Sequence, residues 1–277
     1  RDRLRSRGLG DVYKRQGQCL MYEMSCSVRF SETEHNGVMS MNGLLRLFQD
    51  VGYAHALERG FGLDYTRRTR CTWYLLSWQI NAFRMPRAGE RIRLATCIYD
   101  MRASLAHKSI AMYDAGGNCL ALGDTMWVYM NVDRQEPVVP ENIAGDMAHG
   151  GGVWLNEDFG QKIEPFGINP QTAAAPRRIR IPSDVVNMEP CRIETYVLDT
   201  NGHANNVRLT ELAMRLSGAD NESCTGLRAE FKEQVKADSM VYPVIKKDRH
   251  GNVTVITIAF KNDAGHTMAV FEFTADA

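Results

Sequence analysis

Leu198-Asp199-Thr200-Asn201-Gly202-His203-Ala204-Asn205-Asn206 is a polar stretch set between a strand-like run and a helix-like run. Upstream, Arg192 to Leu198 alternates and ends in Tyr196-Val197-Leu198. Downstream, Leu209, Leu212, Ala213 and Leu216 recur at helical spacing, and Gly218 stands where that helix should stop. The same arrangement occurs earlier in the chain. Glu34-His35-Asn36-Gly37-Val38, with Leu44 and Leu47, overlies Asp199-Thr200-Asn201-Gly202-His203, with Leu209 and Leu212, at a constant offset of 165. Each copy reads as a strand, an Asn-Gly turn and a helix with its apolar residues in step. The first helix, Met41 to Arg59, is apolar around much of its circumference (Leu44, Leu45, Leu47, Phe48, Val51, Ala54), which predicts an enclosed helix, with Gly60 as its C-cap.

After each helix come strand-like runs: Thr72 to Phe83, Arg91 to Tyr99, Ser104 to Tyr113 and Cys119 to Asn131, then Leu227 to Val235, Met240 to Lys246, Val253 to Phe260 and Met268 to Thr274. Turn signals separate them, among them Asp114-Ala115-Gly116-Gly117 and Asn262-Asp263-Ala264-Gly265. The expected fold class is therefore α+β, two tandem domains in which an antiparallel sheet wraps a long central helix. The domains are expected at 21–135 and 178–277, joined by a linker at 136–177 rich in Pro, Gly and Ala. Residues 1–20 read as a non-native or disordered N-terminal segment, since Arg1 to Gln16 shows no helical or strand period.

The 277 residues contain 33 basic and 33 acidic side chains; six of the basic and two of the acidic ones fall in residues 1–16, so the remainder is slightly acidic. No basic face for nucleic acid is expected, and no apolar run approaches a membrane span. The seven cysteines are scattered, odd in number and free of CxxC pairs, which argues against a disulfide framework or a zinc site and for a reducing, cytoplasmic location. No metal and no cofactor is expected. Gly150-Gly151-Gly152 has neither a preceding strand nor a following Lys-Ser/Thr, so it is not a phosphate-cradling loop.

Chemistry concentrates in the second copy of the turn. Amides at a helix start lack intrahelical partners and favour negative charge, so a site there can hold an oxyanion while Asp, Asn and His handle water and protons. Amides near Ala204 and Asn205, with the Asn201 side chain, are expected to polarise a carbonyl, and Asp199 or His203 to deprotonate water. The competing reading makes the stretch a plain turn and Asn205 a helix cap. In the first copy Val38 stands in the place of His203, and that half is expected to be catalytically silent. Met39, Met41, Leu45, Phe48 and Trp78 are candidates for lining a pocket, with core packing as the alternative.

These residues resemble the acyl-acyl-carrier-protein (acyl-ACP) thioesterase family, in a bacterial form similar to plant fatty acyl-ACP thioesterases. Asp199-x-Asn201-x-His203-x-Asn205-Asn206 looks like the family's Asp-x-Asn-x-His-x-x-Asn signature; Trp73 to Pro86 and Trp127 to Pro140 are similar in style to first-domain segments. The resemblance implies two fused hot-dog domains and hydrolysis of a fatty acyl thioester on acyl carrier protein, terminating fatty acid synthesis. It implies Asp199, Asn201, His203 and Gln234 as catalytic residues and Asn205 and Asn206 as substrate-binding residues. Plant members carry a Glu-Cys pair on the following segment. Alignment through Asp238-Ser239 puts Gln234 and Val235 there, so no thiol nucleophile is expected; a one-residue slip would bring in Glu233, aimed at the opposite face. Acyl-CoA hydrolysis on the same fold and a non-catalytic acyl-binding role are the alternatives. Arg67-Arg68-Arg70 and Arg177-Arg178-Arg180 are candidates for docking the carrier protein, against the plainer reading as solvated faces. A monomer or a homodimer fits equally.

Overall fold

The computed structural model describes residues 21–140, 178–200, 202–221 and 223–276. The first half runs β1 (Met21–Ser27), α1 (Met41–Glu58), α2 (Leu63–Thr69), β2 (Cys71–Ala82), β3 (Arg91–Arg102), β4 (Leu105–Asp114), β5 (Cys119–Asn131) and β6 (Glu136–Pro137). The second runs β7 (Val186–Asn187), β8 (Cys191–Arg192), α3 (Asn206–Ser217), β9 (Cys224–Phe231), β10 (Met240–His250), β11 (Val253–Lys261) and β12 (Thr267–Asp276). One sheet carries both halves in the order β1-β3-β4-β5-β2-β9-β12-β11-β10-β7, with β6 on β5 and β8 on β10. The halves join edge to edge where β2 pairs antiparallel with β9, from Ser77↔Glu230 to Asn81↔Gly226. Each half thereby closes the edge the other would expose.

The hydrophobic pattern read from the sequence explains the wrapping. Leu44, Leu45, Leu47, Phe48 and Val51 of α1 are all buried. Gly123 on β5 lets the Phe48 ring lie directly on the sheet, because a Cβ there would sit 3.0 Å from the ring. In the second half the apolar face of α3 meets Phe260, Phe271 and Phe273, which are buried in the same core.

The repeat persists into fine geometry. Ser40 and Asn205, 165 residues apart, are the N-caps of α1 and α3. The bridges Thr33↔Met39 and Leu198↔Ala204 keep the same offset. So do two short 3₁₀ turns, Phe30–Glu32 and Thr195–Val197. The second of these corrects the strand expected over Arg192 to Leu198: only Cys191–Arg192 forms a strand, and the chain then coils until Leu198 bridges Ala204. Ile193 and Val197 are the buried residues of that segment and lie four apart, a spacing that fits a turn as well as a strand. Helix α2 also stands where no helix was expected. Of the expected linker, Glu136–Pro137 pairs with the end of β5. Residues 141–177, and the N-terminal segment 1–20, lie outside the described residues. No helix among the described residues is long and apolar enough to cross a membrane.

Candidate active site

The polar stretch folds into a tight turn ahead of α3. The Asp199 N–H donates to the His203 carbonyl at 2.8 Å and the Gly202 N–H to the Asp199 carbonyl at 3.1 Å. Gly202 takes φ +77°, a conformation that suits glycine. The Asp199 carboxylate accepts the His203 N–H at 3.4 Å. His203 also bridges Lys236, which ties the turn to the segment after β9. Asn201 lies outside the described residues.

The His203 ring is half-buried and stands edge-on to Tyr74 of β2, with centroids 6.2 Å apart. Its Nδ1 is buried without a hydrogen-bond partner among the described residues. Burial holds its pKa below the ordinary imidazole value; the Asp199 charge opposes that and Lys236 adds to it. The Tyr74 hydroxyl is buried, makes no hydrogen bond of full geometry, and lies beside the Gln234 side chain. Desolvation first, and the Asp199 charge second to it, raise the Tyr74 pKa against the pull of Gln234, so the phenol keeps its proton and remains a donor. Gln234 is half-buried and Glu233 exposed, so the amide, not the acid, faces Tyr74. Tyr74 carried no sequence signal beyond belonging to an aromatic strand; only the approach of the second-half turn to β2 brings it to His203.

Two expectations change here. The Ala204 N–H donates to the Val235 carbonyl at 2.8 Å and the Asn205 N–H to the Val197 carbonyl at 2.9 Å, so neither amide is available to a substrate oxygen. Asn205 is the helix cap: its Oδ1 accepts from Val207 and Arg208, which occupies those helix amides too. Its Nδ2 donates to Gln49 Oε1 of α1 at 2.9 Å, so the cap is also a tie between the halves.

A cavity of about 1370 Å³ opens beside the turn. Asp199, Asn205, Asn206 and Trp78 line it, and Tyr74 does too; His203 and Gln234 approach it through Tyr74. Met39, Met41, Leu45 and Phe48 are not on its wall but fully buried in the core. The helical period explains this. Residues 41, 44, 45 and 48 face the sheet, whereas the cavity is walled by Gln49, Gly52, Tyr53 and Ala56, the adjacent stripe of α1. Of the basic clusters, Arg67 pairs with Asp64 and Arg70 with Asp133, while Arg178 and Arg180 are exposed and Arg177 lies outside the described residues.

A single twelve-stranded antiparallel sheet in two repeated halves, each laid on its own helix, defines a double hot-dog fold, with the turn that carries Asp199 bordering its cavity. Residues 19–146 match the family described as the acyl-ACP thioesterase N-terminal domain, the family that the second-half signature resembles. The 12:0-ACP thioesterase from Umbellularia californica superposes with a TM-score of 0.73 at 14% identity, covering 92% of this chain and 93% of that one. An acyl-ACP thioesterase from Bacteroides thetaiotaomicron superposes with a TM-score of 0.66 at 16% identity, covering 92% and 97%. At such identities these likenesses speak for the fold. No curated protein matches the chain.

Proposed function

We propose that this protein hydrolyses fatty acyl-ACP to free fatty acid and ACP, ending fatty acid synthesis, with the second half supplying the chemistry and the first half the acyl-binding walls. The domain division expected from the repeat, 21–135 and 178–277 joined through 136–177, is retained as part of this reading. Its main support is that Asp199, at the neck of α3, borders a cavity walled mostly by the first half and large enough for an alkyl chain, and that its charge acts on the His203 ring.

In this mechanism the thioester carbonyl sits at the Asp199 end of the cavity. His203, neutral at physiological pH because burial lowers its pKa, takes a proton from water oriented by Asp199, and the water oxygen bonds to the carbonyl carbon. The oxyanion of the tetrahedral intermediate accepts hydrogen bonds from the Tyr74 hydroxyl and the Gln234 amide, in place of the backbone amides already engaged. The intermediate collapses by breaking the C–S bond. The pantetheine thiolate leaves readily, since a thiol with a pKa of about 8.5 needs little assistance, and the proton held by His203 neutralises it.

Purified protein incubated with acyl-ACP and with the matching acyl-CoA, with thiol release followed in parallel, tests the proposal. Faster release from acyl-ACP is expected. Release from acyl-CoA alone would move the carrier assignment, and release from neither would remove the hydrolase reading.

A further inference from the structure

The first-half end of the cavity holds chemistry that a plain alkyl chain does not require. Lys108 of β4 and His55 of α1 both line it, and they are only 7% and 1% exposed. Lys108 lies in a lateral row across the sheet with Ile98, Thr125 and Trp78, so it leaves the sheet on the same side as Trp78, toward α1. Two strand spacings, about 10 Å, separate it from β2. Its Nζ donates to the Gly52 carbonyl at 3.1 Å and lies 6.0 Å from the centre of the Trp127 ring. An ammonium has three donors, and no carboxylate among the described residues forms an ion pair with this one. His55 stacks on Tyr22, and neither of its ring nitrogens has a hydrogen-bond partner among the described residues.

The field at this end is positive. The charges acting on His55 are Lys108 and Arg59. The acids on the cavity wall are engaged elsewhere: Arg102 holds Asp100 at 3.3 Å, Glu32 accepts the Arg29 N–H, Asp199 accepts the His203 N–H, and the charge acting on Asp50 is Arg29. A buried ammonium without a counter-charge is unfavourable by several kcal/mol, so the arrangement calls for an anion that arrives with a ligand.

We propose that the inner end of the cavity is a carboxylate site, in which Lys108 Nζ and the His55 ring donate to a carboxylate carried on an alkyl chain. Two sources share that chemistry: an acyl thioester whose far end bears a carboxylate, and a free fatty acid lying in the cavity with its head inward. The proposal rests on the acyl-chain reading of the cavity and is independent of turnover. Burial pushes the Lys108 pKa down to about 7, and a bound carboxylate would raise it again.

Calorimetric titration of the full chain with dodecanoate and with dodecanol is the first measurement. Dodecanoate is expected to bind more tightly, and Lys108→Met to reduce that preference by roughly tenfold to a hundredfold, the scale of hydrogen bonds to a charged group. His55→Phe, whose ring keeps the stack on Tyr22, serves as the second variant and should weaken the preference in the same direction. The second measurement compares kcat/KM for dodecanoyl and 11-carboxyundecanoyl pantetheine thioesters. A preference for the carboxylated chain, lost in Lys108→Met, assigns the site to substrate; a preference in binding alone assigns it to free fatty acid. Equal affinity for dodecanoate and dodecanol, unchanged in both variants, would overturn the proposal. Absence of thiol release with the binding preference intact would instead count only against the hydrolase reading.

Discussion

At the scale of single residues, the catalytic assignment turns on two rings. Replacing His203 by Ala should lower kcat by roughly 10²–10⁴-fold, the range of a lost general base, with the circular dichroism spectrum unchanged. Tyr74→Phe removes one oxyanion donor and should cost about 10²-fold in kcat with little change in KM; wild-type kcat in that variant would strike Tyr74 from the mechanism. The pH profile follows from the shifts. Because burial lowers the His203 pKa, the acid limb of kcat/KM should fall below the ordinary imidazole value of about 6.5. Asp199 raises that pKa, so Asp199→Asn should move the limb lower still, along with a loss of rate. Lys108 gives a stability test of opposite character. Its pKa falls from 10.5 in the unfolded chain to about 7 in the fold, so the unfolded chain binds more protons between those values. Stability should therefore rise with pH across that window, and Lys108→Met should flatten the rise and raise stability at pH 7. Denaturant midpoints measured at several pH values check it. Asp199 and His203 were legible as candidates because they cluster in sequence. Tyr74, His55 and Lys108 were not, since a lone aromatic, His or Lys on a strand or helix has no local pattern that distinguishes a wet face from a cavity wall.

At the scale of elements, the boundaries of the two long helices were readable, the short α2 was not read at all, and helix faces were not readable. Met41 to Arg59 was expected and Met41–Glu58 is found, because the cap, the apolar period and Gly60 are all local. Which apolar stripe meets the sheet and which meets the cavity depends on where α1 is docked, and this is why Met41, Leu45 and Phe48 belong to the core. Close docking also fixes Gly43: a Cβ there would lie 2.3 Å from the Glu32 carbonyl oxygen, a backbone atom that cannot swing away. Gly43→Ala should destabilise by at least about 1–3 kcal/mol, as overpacked cores do, and a thermal midpoint equal to wild type would contradict the packing described here. Asn205 separates its two jobs by substitution. Serine keeps the cap and loses the amide that reaches Gln49, so Asn205→Ser should retain most of the stability, whereas Asn205→Ala should lose about 1 kcal/mol with the cap.

At the scale of the whole molecule, the two halves are one sheet with one main core, joined through Ser77–Asn81 against Gly226–Glu230 and, across the helices, by Arg46 and Glu211. Neither half can leave without exposing a long strand edge, so thermal unfolding should be a single transition with equal calorimetric and van't Hoff enthalpies; two resolved transitions would show the seam to be weak. The sequence by itself determined the repeat at offset 165, the order of strand, turn, helix and meander, and the turn on which the candidate chemistry sits. Each of those depends on contacts within a few residues, or on a pattern repeated along the chain. The tertiary structure alone decided that β2 meets β9, that Tyr74 stands against His203, that the amides of Ala204 and Asn205 are already bonded, and that a lysine and a histidine end up together at the inner end of the cavity. Apart from the Asn205 amide, which reaches back eight residues to Val197, those pairings join residues tens to more than a hundred positions apart. Their partners are chosen by the closing of the sheet around the helices, which leaves no periodic trace in the chain.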